Sequence, residues 1–291
     1  DNLDYEPFVA FLEEVQREQP DVVLLIGPFM DSNHSAFKNG RANLSDDHLE
    51  FTAPYDTYFF HEISALLEEL FAQTESLRTQ FVVVPSTTDA VGEPVFPQPP
   101  FKNGEMQGVD LDGAENFAFQ TLGFDRLNMD GDKQRVICVS NPCTIKINEV
   151  VVGITSTDTL FHISSDETNG NLEVGSRMTR IAQHLLEQRS YYPVFPPHKA
   201  INLDLKHLDE VAMPCQPDIL IAPSKLSCFA KKVLQNTLVI NPGYLTKGTQ
   251  GGSFARVEIQ PFPRNSLEDV DVNVELDHAV PGRACVDVKR I

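Results

Sequence analysis

Polar residues with the chemistry of metal ligands follow several apolar stretches of this sequence. In VVLLIGPFMDSNH, an apolar run ends at Gly27, and Asp31, Asn33 and His34 come shortly after it. Loops after other apolar runs read PSTTD, TSTD, APSKL and NPGYL. In open α/β sheets, ligands bind beyond the carboxyl ends of the strands. Two-metal hydrolysis of phosphate esters needs a bridging carboxylate, imidazoles and further oxygen ligands, so these loops are where that chemistry would lie.

Composition and charge limit the classes of protein that fit. The 291 residues are 41% hydrophobic, which suffices for one large α/β domain or two smaller ones. The net charge of −19 opposes binding to a phosphate backbone, so we expect weak or no direct binding to nucleic acid and a basic protein as partner. No apolar run approaches about 18 residues, so we expect no transmembrane helix.

Cysteine usage and the N-terminus favour a reducing compartment. The five cysteines are odd in number and widely spaced, and none forms a C-x-x-C pair. This pattern is typical of reduced thiols in a cytosolic or nuclear protein, and it argues against a zinc site. The N-terminal DNLDYEPF lacks the basic and apolar regions of a signal peptide.

The periodicity of apolar residues predicts strands that alternate with helices. Helical spacing marks residues 6–17, 57–73 (with Phe59, Ile63, Leu66 and Leu70), 176–188 and the stretch KLSCFAKKVLQN. Strands are predicted for DVVLLIG, QFVVVPS, a hairpin over 143–156, PDILIAPS, TLVINPG, SFARVEI and ACVDVKRI. Such alternation predicts a parallel or mixed sheet covered on both faces. Residues 92–135 are predicted to be a long, partly mobile surface insertion, and residues 261–281 an acidic connection.

Several segments from residue 21 to the C-terminus carry a specific resemblance. They are GPFMDSNH, VVVPSTTDAVGEPVFPQPPF, SNPCTIKINEVVVGITSTDTLFH, RSYYPVFPP, PDILIAPSKLSCFAKKVL, INPGYLTKGTQGGSFARVEI and VDVKRI. Together they resemble the inactive calcineurin-like phosphoesterase domain in the B subunits of replicative DNA polymerases, above all in the polymerase α–primase branch. The resemblance implies one α/β domain over residues 1–291, a metallophosphoesterase-like sandwich of two mixed β-sheets flanked by helices. It also implies a first strand upstream of residue 1, and upstream oligonucleotide-binding-type and regulatory regions.

The resemblance also shows which ligands the first two loops have lost. Active relatives have Gly-Asp-x-x-Asp where this chain has GPFMD, so Pro28 replaces the bridging aspartate and Asp31 remains. They have Gly-Asn-His-Asp where this chain has STTD, so Thr87 and Thr88 replace an asparagine ligand and the catalytic histidine, and Asp89 remains.

A third loop has lost its ligands as well. A Gly-His-x-His of active relatives falls on APSK, where Pro223 and Lys225 replace both imidazoles. The resemblance therefore implies no metal, no other cofactor and no catalytic residue. Asp31 and Asp89 are expected to cap nearby backbone amides, as carboxylates in strand-end turns commonly do.

The function that the resemblance implies is that of a scaffold. The chain is expected to bind the zinc-containing C-terminal domain of the polymerase α catalytic subunit, in one complex with primase in the nucleus, and to support primer synthesis. Two alternatives remain. One is the equivalent subunit of polymerase δ or ε, and the other is an active metal-dependent phosphoesterase with unusual ligands, against which the missing histidines argue.

The segment RSYYPVFPP is a candidate partner-binding site. Tyr191, Tyr192 and Phe195 are clustered among prolines, which fix an extended backbone at low entropic cost. Rigidly held aromatic side chains are enriched at interfaces. The same side chains could equally pack the end of a helix onto the sheet, and the sequence leaves both possibilities open.

Overall fold

The structure is a computed structural model that describes residues 5–37, 41–46, 49–74, 76–101, 122, 124, 127, 135–168, 176–248, 250–262 and 279–291. Contacts divide the chain into two units, Asp1–Asn141 and Pro142–Ile291, which are described in turn. Within the described ranges, no helix has both the length and the apolar character needed to cross a membrane.

The first unit combines helices with a parallel three-stranded sheet. β1, β4 and β5 pair in that order, and Ile26 at the end of β1 lies opposite Val84 at the end of β4. β2 and β3 form a separate antiparallel hairpin that the sequence did not predict. In chain order, the described elements are α1 (Glu6–Glu18), β1 (Val22–Ile26), a 3₁₀ turn (Ser35–Phe37), β2 (Arg41–Asp46), β3 (Leu49–Pro54), α2 (Tyr55–Phe59), a π turn (Phe60–Ser64), α3 (Ala65–Gln73), β4 (Gln80–Val84) and β5 (Val136–Cys138).

The helix predicted over residues 57–73 contains the π turn at Phe60–Ser64. Phe59 and Ile63 are buried as predicted, but beyond the turn Leu67 is fully buried and Leu66 only partly. A π turn contains more residues than an α turn. Leu70 nevertheless keeps its predicted burial, and Leu67 lies four residues after Ile63, which is an ordinary α-helical spacing.

Most of the predicted insertion at 92–135 lies outside the described residues. Its beginning does not behave as a surface loop, because Phe96, Gln98 and Phe101 are buried. Gln98 exchanges two backbone hydrogen bonds with Asn141, which anchors this stretch to the segment after β5.

The second unit contains a mixed five-stranded sheet. Its order is β6-β7-β8-β10-β9, with β7, β8 and β10 parallel to each other and an antiparallel strand at each edge. β13 and β14 form a separate antiparallel ribbon. In chain order, the described elements are β6 (Cys143–Ile147), β7 (Val150–Ile154), α4 (Thr159–Asp166), α5 (Arg177–Glu187), a 3₁₀ segment (Leu205–Val211), β8 (Ile219–Ile221), β9 (Phe229–Val233), β10 (Thr237–Asn241), β11 (Thr246–Lys247), β12 (Gln250–Gly251), β13 (Ser253–Ile259), α6 (Val280–Arg283) and β14 (Ala284–Arg290).

One predicted helix is wrong. The stretch KLSCFAKKVLQN contains β9, which pairs antiparallel with β10 from Phe229 opposite Asn241 to Val233 opposite Thr237. Phe229 and Val233 are both buried, and a spacing of four places two residues on one face of a strand as well as of a helix. The predicted hairpin over 143–156 is confirmed as β6 and β7. The acidic connection over 261–281 lies mostly outside the described residues.

Candidate functional site

In the first unit, the loops after β1 and β4 meet at one edge of the parallel sheet. The N–H of Ser32 donates to the carbonyl of Thr88 at 2.8 Å, and the N–H of Ala90 donates to the carbonyl of Met30 at 2.8 Å. Asp31 and Asp89 face each other in an isolated antiparallel bridge. The structure therefore brings together two of the loops that the sequence singled out, GPFMD and PSTTD.

The carboxylate of Asp89 holds these loops together. It is buried, and its Oδ1 accepts hydrogen bonds from the N–H groups of Phe29 at 2.6 Å and Met30 at 3.1 Å. Its Oδ2 accepts from the N–H of Ser86 at 2.8 Å. Burial raises the pKa of Asp89 to about 7, while the three N–H donors lower it and the nearby Asp31 adds to the increase.

The close approach of these loops requires a glycine after β1. A Cβ on Gly27 would overlap Oδ2 of Asp89 and lie 3.0 Å from the backbone nitrogen of Ser86. Pro28 follows through a cis peptide bond, and it is exposed. The side chain of Pro28 has no atom that can bind a metal. The next two residues, Phe29 and Met30, donate their N–H groups to Asp89.

The remaining polar residues of these loops make local hydrogen bonds. Asp31 is exposed, and its Oδ1 accepts from the backbone and the side chain of Asn33, each at 2.9 Å. The hydroxyls of Thr88 and Ser86 lie 3.1 Å apart, and Thr87 is half-buried. Both aspartates thus accept from backbone amides, the role expected for strand-end carboxylates. A buried carboxylate with both oxygens bonded to backbone N–H groups, beside one exposed aspartate, does not fit a two-metal site, which needs several converging ligands.

In the second unit, Asp158 links the strand-end loops that follow β7 and β8. Its Oδ1 accepts from the N–H of Phe161 at 3.1 Å and caps α4. Its Oδ2 accepts from the N–H of Lys225 and from the hydroxyl of Tyr244, both at 3.1 Å. The ammonium of Lys225 lies 3.3 Å from the ring centroid of Phe161, a cation–π contact.

Asn241 at the end of β10 connects the next pair of loops. Its Oδ1 accepts from the N–H groups of Ser224 at 2.9 Å and Gly243 at 3.0 Å. Its Nδ2 donates to the carbonyls of Leu226 and Ser227, each at 3.2 Å. Pro223 is buried beside this network. Neither Asn241 nor Asp158 was predicted to have a role, although each is a polar residue at or just beyond the end of a predicted strand.

The structure corrects the candidate partner-binding site. Tyr191 is 1% exposed, and its hydroxyl lies 2.6 Å from Thr144 Oγ1 and donates to the carbonyl of Cys143 at 2.9 Å. Tyr192 is 4% exposed, so neither tyrosine offers a surface to a partner. Burial of apolar ring area and the available hydroxyl partners explain why both side chains turn inward. Phe195 is 79% exposed and is the one aromatic of the three that a partner could contact.

Two histidines stack beside Tyr192. The rings of His162 and His198 lie 4.1 Å apart and nearly parallel. The hydroxyl of Tyr192 lies 3.2 Å from His162 Nδ1 and accepts from the N–H of His198 at 3.0 Å. The pKa of His162 is lowered to about 4, mainly by burial and also by the proximity of His198 and Lys225, while Asp158 and Asp166 raise it. Within the part of the chain that the structure describes, no three His, Cys, Asp or Glu side chains are grouped to hold a metal ion.

Comparisons with known proteins give the chain a consistent set of relatives. A family model for the B subunit of DNA polymerase alpha/epsilon matches residues 1–231. The chain is similar to the DNA polymerase alpha B subunit of Mus musculus, with 35% identity over 265 residues, covering 91% of this chain and 38% of the relative. The corresponding protein of Schizosaccharomyces pombe is 30% identical over 269 residues, 90% of this chain and 40% of the relative. That of Caenorhabditis elegans is 27% identical over 295 residues, 100% of this chain and 42% of the relative. The chain thus spans about two fifths of the length of these relatives.

Replacing Asp89 by asparagine is expected to destabilise the first unit. An asparagine offers one oxygen where the carboxylate uses two, so at least one buried N–H donor loses its acceptor, at a cost of about 1–3 kcal/mol. Asp31→Asn is the matched control, because Asp31 is exposed, and it should change stability by less than about 0.5 kcal/mol. Urea denaturation at neutral pH measures both. Equal midpoints for Asp89→Asn and the unmodified chain would contradict the role given to Asp89.

His162 is expected to make the second unit less stable in acid. The folded chain keeps this imidazole neutral down to about pH 4, whereas an unfolded histidine binds a proton near pH 6.5. The unfolded state therefore binds more protons, and stability falls as the pH falls from about 6.5 towards 4. His162→Asn should flatten this dependence in denaturation experiments, whereas His184→Asn, at an exposed histidine, should leave it unchanged. An identical pH dependence in both variants would refute this assignment.

Proposed function

This chain belongs to the family of DNA polymerase alpha/epsilon B subunits, and we propose that it serves as a non-catalytic scaffold in the polymerase α–primase complex. It would bind the zinc-containing C-terminal domain of the polymerase α catalytic subunit, together with primase, and support primer synthesis in the nucleus. Relatives named as the B subunit of DNA polymerase alpha in a mammal, a yeast and a nematode favour the α branch over δ and ε. The proposal includes the metallophosphoesterase-like sandwich of two mixed β-sheets for residues 1–291.

The hydrogen bonding of Asp89, with both oxygens bonded to backbone N–H groups, is the observation that carries the non-catalytic part of the proposal. A metal ligand must have a free lone pair directed at the ion, whereas Asp89 directs both oxygens at backbone N–H groups. Pro28, Thr87 and Thr88 around it lack the carboxylate, amide and imidazole that the resemblance gives to active relatives at these positions. The loops after β1 and β4 are therefore joined by hydrogen bonds to Asp89, at the place where an active relative would bind metal ions.

The charge of the chain supports a protein partner. At −19, the chain would be repelled by nucleic acid at low salt and attracted to basic protein surfaces. A scaffold of this kind contributes to primer synthesis by holding the catalytic subunit and primase, while those proteins contact the nucleic acid.

The partner is tested by a binding experiment with the 291-residue chain. We expect it to retain the C-terminal domain of the polymerase α catalytic subunit in a pull-down and to form a stable complex in size-exclusion chromatography. The corresponding domains of the δ and ε catalytic subunits, at equal concentration, are the controls. Stronger retention of a δ or ε domain would contradict the α assignment, and retention of none would refute the scaffold function.

The absence of catalysis is tested with a generic aryl phosphate. With manganese, zinc or nickel present, we expect no turnover above that of buffer, because the bridging carboxylate is replaced by Pro28 and the remaining Asp89 is occupied. Metal-dependent turnover that follows the chain through purification and disappears in Asp31→Ala would establish the alternative of an active phosphoesterase.

A further inference from the structure

Residues 190–212 form a long loop that is closed at its base; we call it the 190–212 loop. Ser190 and Ala212 form an antiparallel bridge. On either side of it, the N–H of Tyr191 donates to the carbonyl of Val211 at 2.9 Å, and the N–H of Met213 donates to the carbonyl of Arg189 at 2.8 Å. Long loops with fixed ends in compact domains are commonly functional.

Buried side chains fasten the base of the loop to the second unit. The hydroxyl of Tyr191 bonds to Thr144 and Cys143 of β6, and the carbonyl of Tyr191 accepts from Thr159 Oγ1 of α4 at 3.0 Å. The hydroxyl of Tyr192 accepts from the N–H of His198 within the loop at 3.0 Å. These bonds fix the base of the loop and its first part up to His198, so a partner would bind that part without a large cost of ordering.

The outer part of the loop carries the three most exposed large apolar side chains among the described residues. Phe195 is 79% exposed, Leu205 is 63% exposed and Leu208 is 49% exposed. Leu205 and Leu208 lie three residues apart in the 3₁₀ segment. Solvent exposure of three large apolar side chains within one loop is unfavourable for an isolated surface, and such groups are common at sites of protein association.

Carboxylates border the exposed phenylalanine. Phe195 lines a groove of about 350 Å³ whose other walls include Ile163, Asp166, Glu167 and His184. Glu167 is already paired with Arg177 and Arg180, whereas the carboxylate-bearing Asp166 is exposed. The groove therefore combines an apolar ring with an accessible acidic residue.

Carboxylates also flank the two leucines. Asp204, Asp209 and Glu210 lie next to them in sequence, and Asp204 is paired with His207. The lysines of the loop are Lys199 and Lys206. Asp209 and Glu210 are exposed. An apolar surface with an acidic border fits a partner that carries apolar and basic side chains side by side.

We infer that the 190–212 loop is a docking surface for a protein segment in which Lys or Arg residues flank large apolar side chains. Phe195, Leu205 and Leu208 contact the apolar side chains, and the carboxylates pair with the basic ones. A second copy of this chain is a poor occupant, since each copy carries −19, and the same charge disfavours nucleic acid. The inference rests on the proposed function for its probe, which is the C-terminal domain of the polymerase α catalytic subunit.

The test compares loop variants with variants of another accessible apolar surface. Phe195→Ser and the double variant Leu205→Ser, Leu208→Ser should each weaken binding of the probe by about tenfold or more, as truncation of a central apolar contact does. The control is the double variant Ile259→Ser, Val288→Ser on the β13–β14 ribbon, where both residues are 37% exposed. The affinity of this control for the probe should equal that of the unmodified chain. Isothermal titration of the 291-residue chain measures affinity, and the thermal midpoint of each variant identifies loss of fold.

Charge is tested separately with Asp209→Asn, Glu210→Gln. This variant should bind the probe several-fold more weakly than the unmodified chain at low salt. Its affinity should also fall less than that of the unmodified chain when NaCl is raised from about 50 mM to about 500 mM. Binding by the unmodified chain with equal affinity for all folded loop variants would overturn the inference and leave the proposed function intact. No binding by the unmodified chain would overturn both. A dimer of the unmodified chain that the leucine variant dissolves would overturn the assigned occupant.

Discussion

The buried carboxylate of Asp89 is the constraint on which the first unit's strand-end loops depend. Burial disfavours the charge of this side chain and raises its pKa to about 7, and backbone N–H groups from both loops compensate part of that cost. The compensation works only if the loops approach closely, which is why Gly27 has no room for a side chain. The parallel pairing of β1 with β4 brings the two loops to the same edge. The β1–β4 register, Gly27 and Asp89 therefore depend on one another, because a change in any one of them would disturb the contact between the loops.

The second unit fixes its strand-end loops by the same principle with a different group. Asn241 is neutral, so its burial costs less than that of a carboxylate, and it uses its amide as acceptor for two N–H groups and as donor to two carbonyls. Asp158 caps α4 and accepts from Lys225 and Tyr244. In each unit, loops that could present ligands instead direct their polar atoms at neighbouring backbone. The side chains of Asp89, Asp158 and Asn241 therefore connect loops to one another instead of converging on a ligand.

The sequence predicts elements well where local pattern and tertiary contact agree. Continuous apolar runs identify β1, β4 and β10, because a strand that is buried on both faces consists almost entirely of apolar residues. The prediction failed for β9, where Phe229 and Val233 satisfy both periods and pairing with β10 decides between them. The π turn before α3 has no signal in the apolar pattern. The sequence also indicates that Asp89 caps an amide, but its donors Phe29 and Met30 lie about 60 residues away, so only the fold identifies them.

The segment RSYYPVFPP shows why aromatic residues of similar size take opposite positions. A buried tyrosine needs a partner for its hydroxyl, and the fold provides Thr144 and Cys143 for Tyr191 and His198 for Tyr192. Phe195 has no polar atom that needs a partner, and it stays 79% exposed. The hydrogen bonds of the two tyrosines fix the backbone next to Phe195. A partner that contacts the exposed ring would therefore pay little further conformational entropy for ordering that part of the loop.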